Sequence, residues 1–124
     1  MSRISRKIPL SVLLLSAWLM TVEAQVRWID PLHADLGALQ KNEEAVILFR
    51  YVNDGPGALI LDNVRTDCGC TVPEWREAPL LPGEEAAIRV QFRPQSRGRH
   101  HKKVRVWFSG ARKPVILSIG ARVR

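Results

Sequence analysis

The stretch "EEAAIRVQF", residues 84–92, decides how the chain folds. Ala86, Ile88, Val90 and Phe92 fall on one parity, and Ala87, Arg89 and Gln91 on the other. Successive side chains of a strand point to opposite faces, so this alternation reads as a half-buried β-strand. Working outward, "HKKVRVWF" repeats the pattern, with Val104, Val106 and Phe108 inward and Lys103, Arg105 and Trp107 outward. "PVILSIGARV" follows, with Val115, Leu117, Ile119, Ala121 and Val123 against Ile116, Ser118, Gly120 and Arg122. The intervening "SGARKP" is short and rich in turn formers, which predicts a hairpin.

Upstream, "EAVILFRYVN" and "ALILDNVRT" are more continuously apolar, as expected of strands in the middle of a sandwich with partly covered outer faces. "NDGPG" lies between them as a turn, "LPGEE" precedes the alternating strand and "RPQSRGRH" follows it. "VRWIDPLHADLG" supplies one or two short opening strands broken by Pro31. No segment keeps an apolar period of 3.6 residues. The chain is therefore expected to be all-β: an immunoglobulin-like antiparallel β-sandwich of about seven strands, with a small closed barrel as the alternative.

The N-terminus sets the compartment. Arg3, Arg6 and Lys7 precede an apolar run from Ile8 to Met20, and Val22 and Ala24 stand at the small-residue positions before a cut. Residues 1–24 read as a secretory signal peptide cleaved after Ala24, leaving residues 25–124 as one domain. The run is shorter than the ~20 residues that span a bilayer, so no stable membrane insertion is expected after cleavage. Nor does a cysteine follow the run to take a lipid. The expected location is periplasmic or secreted, where a disulfide persists.

Charge divides the mature chain. Between Gln25 and Glu85 stand five Lys/Arg and eleven Asp/Glu; beyond Glu85 stand eleven Lys/Arg and no acid. Export argues against nucleic acid, so the expected partner is an envelope protein or an anionic envelope polymer. Outward Lys103, Arg105 and Trp107, beside Ser118, Gly120 and Arg122 on the neighbouring strand, form a candidate docking face, with Arg89 and Arg93 sharing outward parity. The competing expectation is an ordinary solvated face, with Trp107 covered by a loop such as "VPEWREAPLL". His100 and His101 are placed in a turn; Trp28 belongs to core or rim, and Trp75 caps one end.

Both cysteines lie in "TDCGCT", residues 66–71. As a disulfide, Cys68 and Cys70 would need a bend that Gly69 could supply by a positive φ. So small a ring restricts the unfolded chain little and suits a redox-labile pair. Two thiolates could hold Cu(I), whereas a closed zinc site needs four ligands, and spacing brings neither His33, His100 nor His101 to them. Two small buried side chains are the third alternative. Catalytic signatures are missing: there is no phosphate loop, zinc-protease helix or Gly-x-Ser-x-Gly turn, and nothing in the spacing pairs a cysteine with a histidine. The sequence predicts a non-enzymatic module without cofactor or metal; the alternative is a thiol-redox or Cu(I)-binding protein using Cys68 and Cys70.

The order "DLGAL", "VILFRYVNDGPGALILDNVRTDCGCTVPEW", "PLLPGEEAAIRVQFRP", "GRHHKKVRVWF", "ILSIGARV" resembles the bacterial envelope family called domain of unknown function 1573. Asn53, Gly55, Cys68, Gly69, Cys70, Thr71, Pro82, Gly83, Gly98 and Gly120 fall on its pattern, over Asp35 to Val123. The resemblance implies an immunoglobulin-like fold of the kind found in flagellar and sperm-associated sandwich domains, and no established activity. The basic final third departs from the family's usual composition, so no partner carries over for that region.

Overall fold

The computed structural model describes residues 25–124. The expected signal peptide and its cleavage site, residues 1–24, lie outside the described residues. Eight strands follow in order: β1 (Val26–Trp28), β2 (His33–Leu39), β3 (Ala45–Asn53), β4 (Leu61–Thr66), β5 (Thr71–Glu74), β6 (Glu85–Phe92), β7 (Gly98–Phe108) and β8 (Val115–Val123). They form two four-stranded sheets, β1-β3-β6-β5 and β2-β8-β7-β4. This is the expected sandwich.

Alternation sets its inside. Ile88, Val90 and Phe92 of β6, Val104 and Val106 of β7, and Leu117 and Ile119 of β8 are all 0% exposed. They meet between the sheets with Phe49, Tyr51 and Phe108. Trp28 is partly buried and packs against this core, with its ring centroid 5.4 Å from that of Tyr51 and 6.2 Å from that of Phe108. Burial pushes the Tyr51 phenol up in pKa. Trp75 is partly buried and packs against the core from the segment after β5.

Several details differ from the sequence expectation. The eighth strand is β5, whose four residues include Pro73. Because β5 is an edge strand paired only to β6, the missing N–H of Pro73 can be accommodated. Strand β2 pairs with β8 in parallel, whereas the other pairs are antiparallel. The chain passes from β1 in one sheet to β2 in the other over Ile29–Leu32, so β2 reaches its edge without a hairpin. β4 is an edge strand and not a central one. On β3, Val46 and Leu48 are 47% and 49% exposed, so their outer face is uncovered.

Polar contacts fix the ends of the sandwich. Asn53 is 2% exposed. Its amide nitrogen donates to the carbonyls of Gly57 and Leu80 at 2.8 Å each, and its Oδ1 accepts from Gly55 N–H at 3.0 Å. One side chain thus ties the β3–β4 turn to the segment before β6. That segment closes through Pro82 and Gly83, where Gly83 has φ +82°, and Glu84 N–H donates to Leu81 C=O. Three residues before Asn53 on β3, the Arg50 guanidinium and backbone N–H both donate to Asp30, with Nη2 2.9 Å from Oδ1. The side-chain bond, then the backbone bond, hold the Asp30 carboxyl down at about 2.

Asn53→Ala strands two carbonyls and an N–H and is expected to lower stability by about 3 kcal/mol in urea unfolding; a loss under ~0.5 kcal/mol contradicts this role. A depressed carboxylate stabilises the fold above its unfolded pKa, and that contribution disappears as pH falls through the folded value. The stability gap between the native protein and Asp30→Asn should therefore be full above about pH 4 and vanish towards pH 2. A gap independent of pH contradicts the assignment.

Candidate functional site

The β7–β8 hairpin places its outward residues on one face of the β2-β8-β7-β4 sheet. Across this sheet, Arg65 of β4 opposes Arg105 of β7, and Arg105 opposes Ile116 of β8. One step along, Lys103 opposes Ser118, which in turn opposes His33 of β2. Farther along, His101 opposes Gly120 and Arg99 opposes Arg122. Lys103, Arg105, Trp107 and Arg122 therefore share a face, but Arg122 stands beside Arg99 and away from Trp107.

Trp107 and Ile116 are 37% and 41% exposed. The segment expected to cover Trp107 is committed elsewhere. Its first residues form β5 in the other sheet, and its Trp75 packs on the core. Trp107 instead opposes Asn63 on the edge strand β4. The grouping of Arg89 and Arg93 with this face fails too, because the outer faces of the two sheets look in opposite directions. Arg89 lies in the β6 sheet and pairs with Glu74 at 3.7 Å, while Arg93 donates to the Asn42 carbonyl at 3.2 Å.

Arg105 is less free than its sequence context suggests. Its Nη1 lies 2.6 Å from Asp67 Oδ1, an acid one residue before Cys68. The cysteine turn and the basic face are therefore physically joined. Cys68 and Cys70 are disulfide-bonded, with α-carbons 5.3 Å apart. The expected positive φ at Gly69 is not found. Thr71 N–H donates to Cys68 C=O at 3.1 Å, closing a four-residue turn, and such turns need no left-handed residue. Thr66 Oγ1 donates to Thr71 C=O at 3.0 Å, and Arg93 N–H to Cys70 C=O at 2.9 Å.

The histidines lie apart from this turn. His33 is on β2 and the cysteines follow β4, at opposite edges of one sheet. His100 and His101 lie within β7 and not in a turn. The His100 ring contacts Phe92, and its Nε2 lies 2.8 Å from the Ser96 carbonyl oxygen. His101 stacks on His33 at 6.0 Å between centroids. Sequence reasoning did not join this pair, because β2 and β7 flank β8 and are distant in the chain. Gly120 inside an otherwise apolar strand was the local sign that something approaches closely there. Among the described residues, no group of three or more His, Cys, Asp or Glu is arranged to hold a metal ion.

A family model described as "Protein of unknown function (DUF1573)" matches residues 29–123. No curated protein matches the chain. Among solved structures, a protein of unknown function from Porphyromonas gingivalis W83 superposes with a TM-score of 0.70 at 16% identity, over 84% of this chain and 50% of that one. The ASH / PapD-like domain of human CEP192 (PapD-like domain 7) gives 0.65 at 9% identity, over 100% of this chain and 97% of that domain. The Vibrio cholerae VesB protease gives 0.62 at 16% identity, over 87% of this chain and 35% of the protease. The chain thus spans half the length of the Porphyromonas protein and about a third of VesB. At these identities the likeness concerns the fold, an immunoglobulin-like, PapD-like sandwich.

The cysteine turn yields one expectation. Joining positions 68 and 70 closes too short a loop to restrict the unfolded chain much, so Cys68→Ser/Cys70→Ser should cost under about 2 kcal/mol in urea unfolding. A domain that no longer folds without the bond contradicts this.

Proposed function

This chain belongs to the DUF1573 family of proteins of unknown function, and from that premise we propose that it is a non-enzymatic exported binding or assembly module of the bacterial cell envelope. Its leader-like residues 1–24 direct it to the periplasm or the outside. The partner is an acidic envelope protein or anionic polymer that docks on the outer face of β7 and β8 through Lys103, Arg105, Trp107 and Arg122.

The observation that carries this reading is the uncovered Trp107, 37% exposed beside Arg105 and Ile116 on a rigid sheet. Tryptophan and arginine on a preformed surface give a partner apolar area and charge-assisted hydrogen bonds with little ordering cost. Arg105 is already oriented by Asp67. Lys103 and Arg65 take part in none of the ion pairs among the described residues. Encounter with an acidic surface is accordingly steered by this face and weakened by salt.

A second reading, a thiol-redox or Cu(I)-binding protein, is favoured by one observation. The Cys68–Cys70 bond lies in a partly exposed turn that the hydrogen bond from Thr71 N–H to Cys68 C=O already closes. Such a bond contributes little as a staple, which leaves its chemistry as a reason for having it.

Envelope extracts passed over immobilised residues 25–124 separate the two. Trp107→Ala and Lys103→Glu should each reduce retention of the captured partner about tenfold, and the residual binding should depend less on salt. Unchanged capture with both variants overturns the docking face. If Cys68→Ser/Cys70→Ser stays folded and abolishes a thiol-exchange or Cu(I)-binding activity of the native domain, the thiol reading replaces it.

A further inference from the structure

Arginines stand directly opposite each other at two places on the outer face of the β2-β8-β7-β4 sheet, at Arg65/Arg105 and at Arg99/Arg122. Like charges at opposed positions destabilise a sheet. At the first place the chain supplies its own counter-charge, Asp67 on Arg105 at 2.6 Å. At the second it supplies none: neither Arg99 nor Arg122 takes part in any ion pair among the described residues. Asp35 also lines this place, opposite Gly120; its Oδ1 accepts the Gly37 N–H at 2.9 Å and its carboxylate forms no ion pair with either arginine, so two guanidinium groups stand against one acid.

The second place is also concave. A groove of about 540 Å³ opens there, lined among others by both arginines, His33, His101 and Gly120. Gly120 lies in its floor, under His33. A β-carbon built on Gly120 would come 3.3 Å from Cε1 and 3.5 Å from Nε2 of His33, so the space above this residue is filled by an imidazole edge. His33 Nδ1 lies 2.7 Å from Ser118 Oγ, which fixes that ring, and His101 stacks on it at 6.0 Å.

We propose that this groove binds a phosphate-bearing ligand, with the phosphate oxygens held between Arg99 and Arg122 and the imidazole edges of His33 and His101 beside them. A carboxylate offers two oxygens, which one guanidinium fork already matches. Two guanidinium groups and two imidazoles supply more donors than that, and a phosphate monoester presents three terminal oxygens and close to two negative charges. The groove is larger than a phosphate ion, which leaves room for the esterified group. The phosphate can come from a free small molecule or from a lipid headgroup. The inference stands apart from the docking of a partner at Trp107, although Arg122 belongs to both.

The test is a titration of isotopically labelled residues 25–124 with inorganic phosphate, glycerol phosphate and malonate, followed by amide and imidazole shifts in NMR. Saturable shifts centred on Gly120, His33 and His101 are expected with both phosphates and only weak ones with malonate. Arg99→Ala and Arg122→Ala should each weaken phosphate binding about tenfold. Gly120→Ala, which crowds His33, should weaken it without touching either arginine. Co-sedimentation with vesicles carrying phosphatidic acid, whose headgroup is a phosphate monoester, against phosphatidylcholine vesicles, assigns the source. Pelleting that both arginine variants lose points to a headgroup, and no pelleting alongside soluble glycerol phosphate binding points to a free ligand. No saturable shift with either phosphate, an equal response to malonate, or binding undiminished in both arginine variants overturns the proposal. Lys103→Glu and Trp107→Ala lie outside the groove and should keep phosphate binding, so failure of the docking face is not read as failure here.

Discussion

Everything in this domain depends on two inward rows of side chains meeting without water between them. Ile88, Val90 and Phe92 supply one row, and Val104, Val106, Leu117 and Ile119 supply the other, all at 0% exposure. Each such side chain contributes roughly 1.5–3 kcal/mol on burial. Because a strand alternates with a period of two, a slip of one residue would turn the whole row to solvent and bring Lys103, Arg105 and Arg122 into the core. Among the described residues no acid is buried to receive them. The register of the β7–β8 hairpin is thus fixed by the cost of its alternative as much as by its own contacts.

The same register decides where the charge goes. The basic final third contributes β6, β7 and β8, yet these strands do not form one surface, since β6 belongs to the other sheet. There Arg89 meets an acid from the first half of the chain, Glu74. On β7, Arg105 meets Asp67. The other ion pairs join acids of the first half to cations of the same stretch, Asp54 to Arg27, Asp30 to Arg50 and Glu84 to Arg76. Apart from Arg105, the cations of the β7–β8 hairpin take part in no ion pair among the described residues, so the charge surplus of the sequence is concentrated there. The two places where function is proposed, around Trp107 and over Gly120, are the two ends of that face.

The readable parts of the fold were those where local pattern and tertiary environment agree. The runs 86–92, 104–108 and 115–123 alternate cleanly because each lies on an antiparallel or mixed sheet with one dry and one wet face. Strand β5 was missed because four residues containing Pro73 carry too little periodicity to be distinguished from a connection. The parallel pairing of β2 and the assignment of strands to sheets are non-local and leave no periodic trace. For that reason Arg89 was grouped with a face it does not share, and Trp107 was given a cover that packs elsewhere. The bend at Gly69 was expected from residue type alone, whereas a turn hydrogen bond made it without a left-handed residue. Lys103, Arg105 and Trp107 were legible as a row. The groove was not, because its His33 and the Ser118 that holds that ring are 85 positions apart.

The most direct test of the inside–outside assignment is NMR of residues 25–124 in the presence of a soluble paramagnetic agent. The account predicts that the methyl signals of Val104, Val106, Leu117 and Ile119 stay sharp, while the Ile116 methyls and the Trp107 indole broaden strongly. Broadening of Val104 and Val106 with a protected Trp107 would contradict it, and both proposed binding places would lose their foundation.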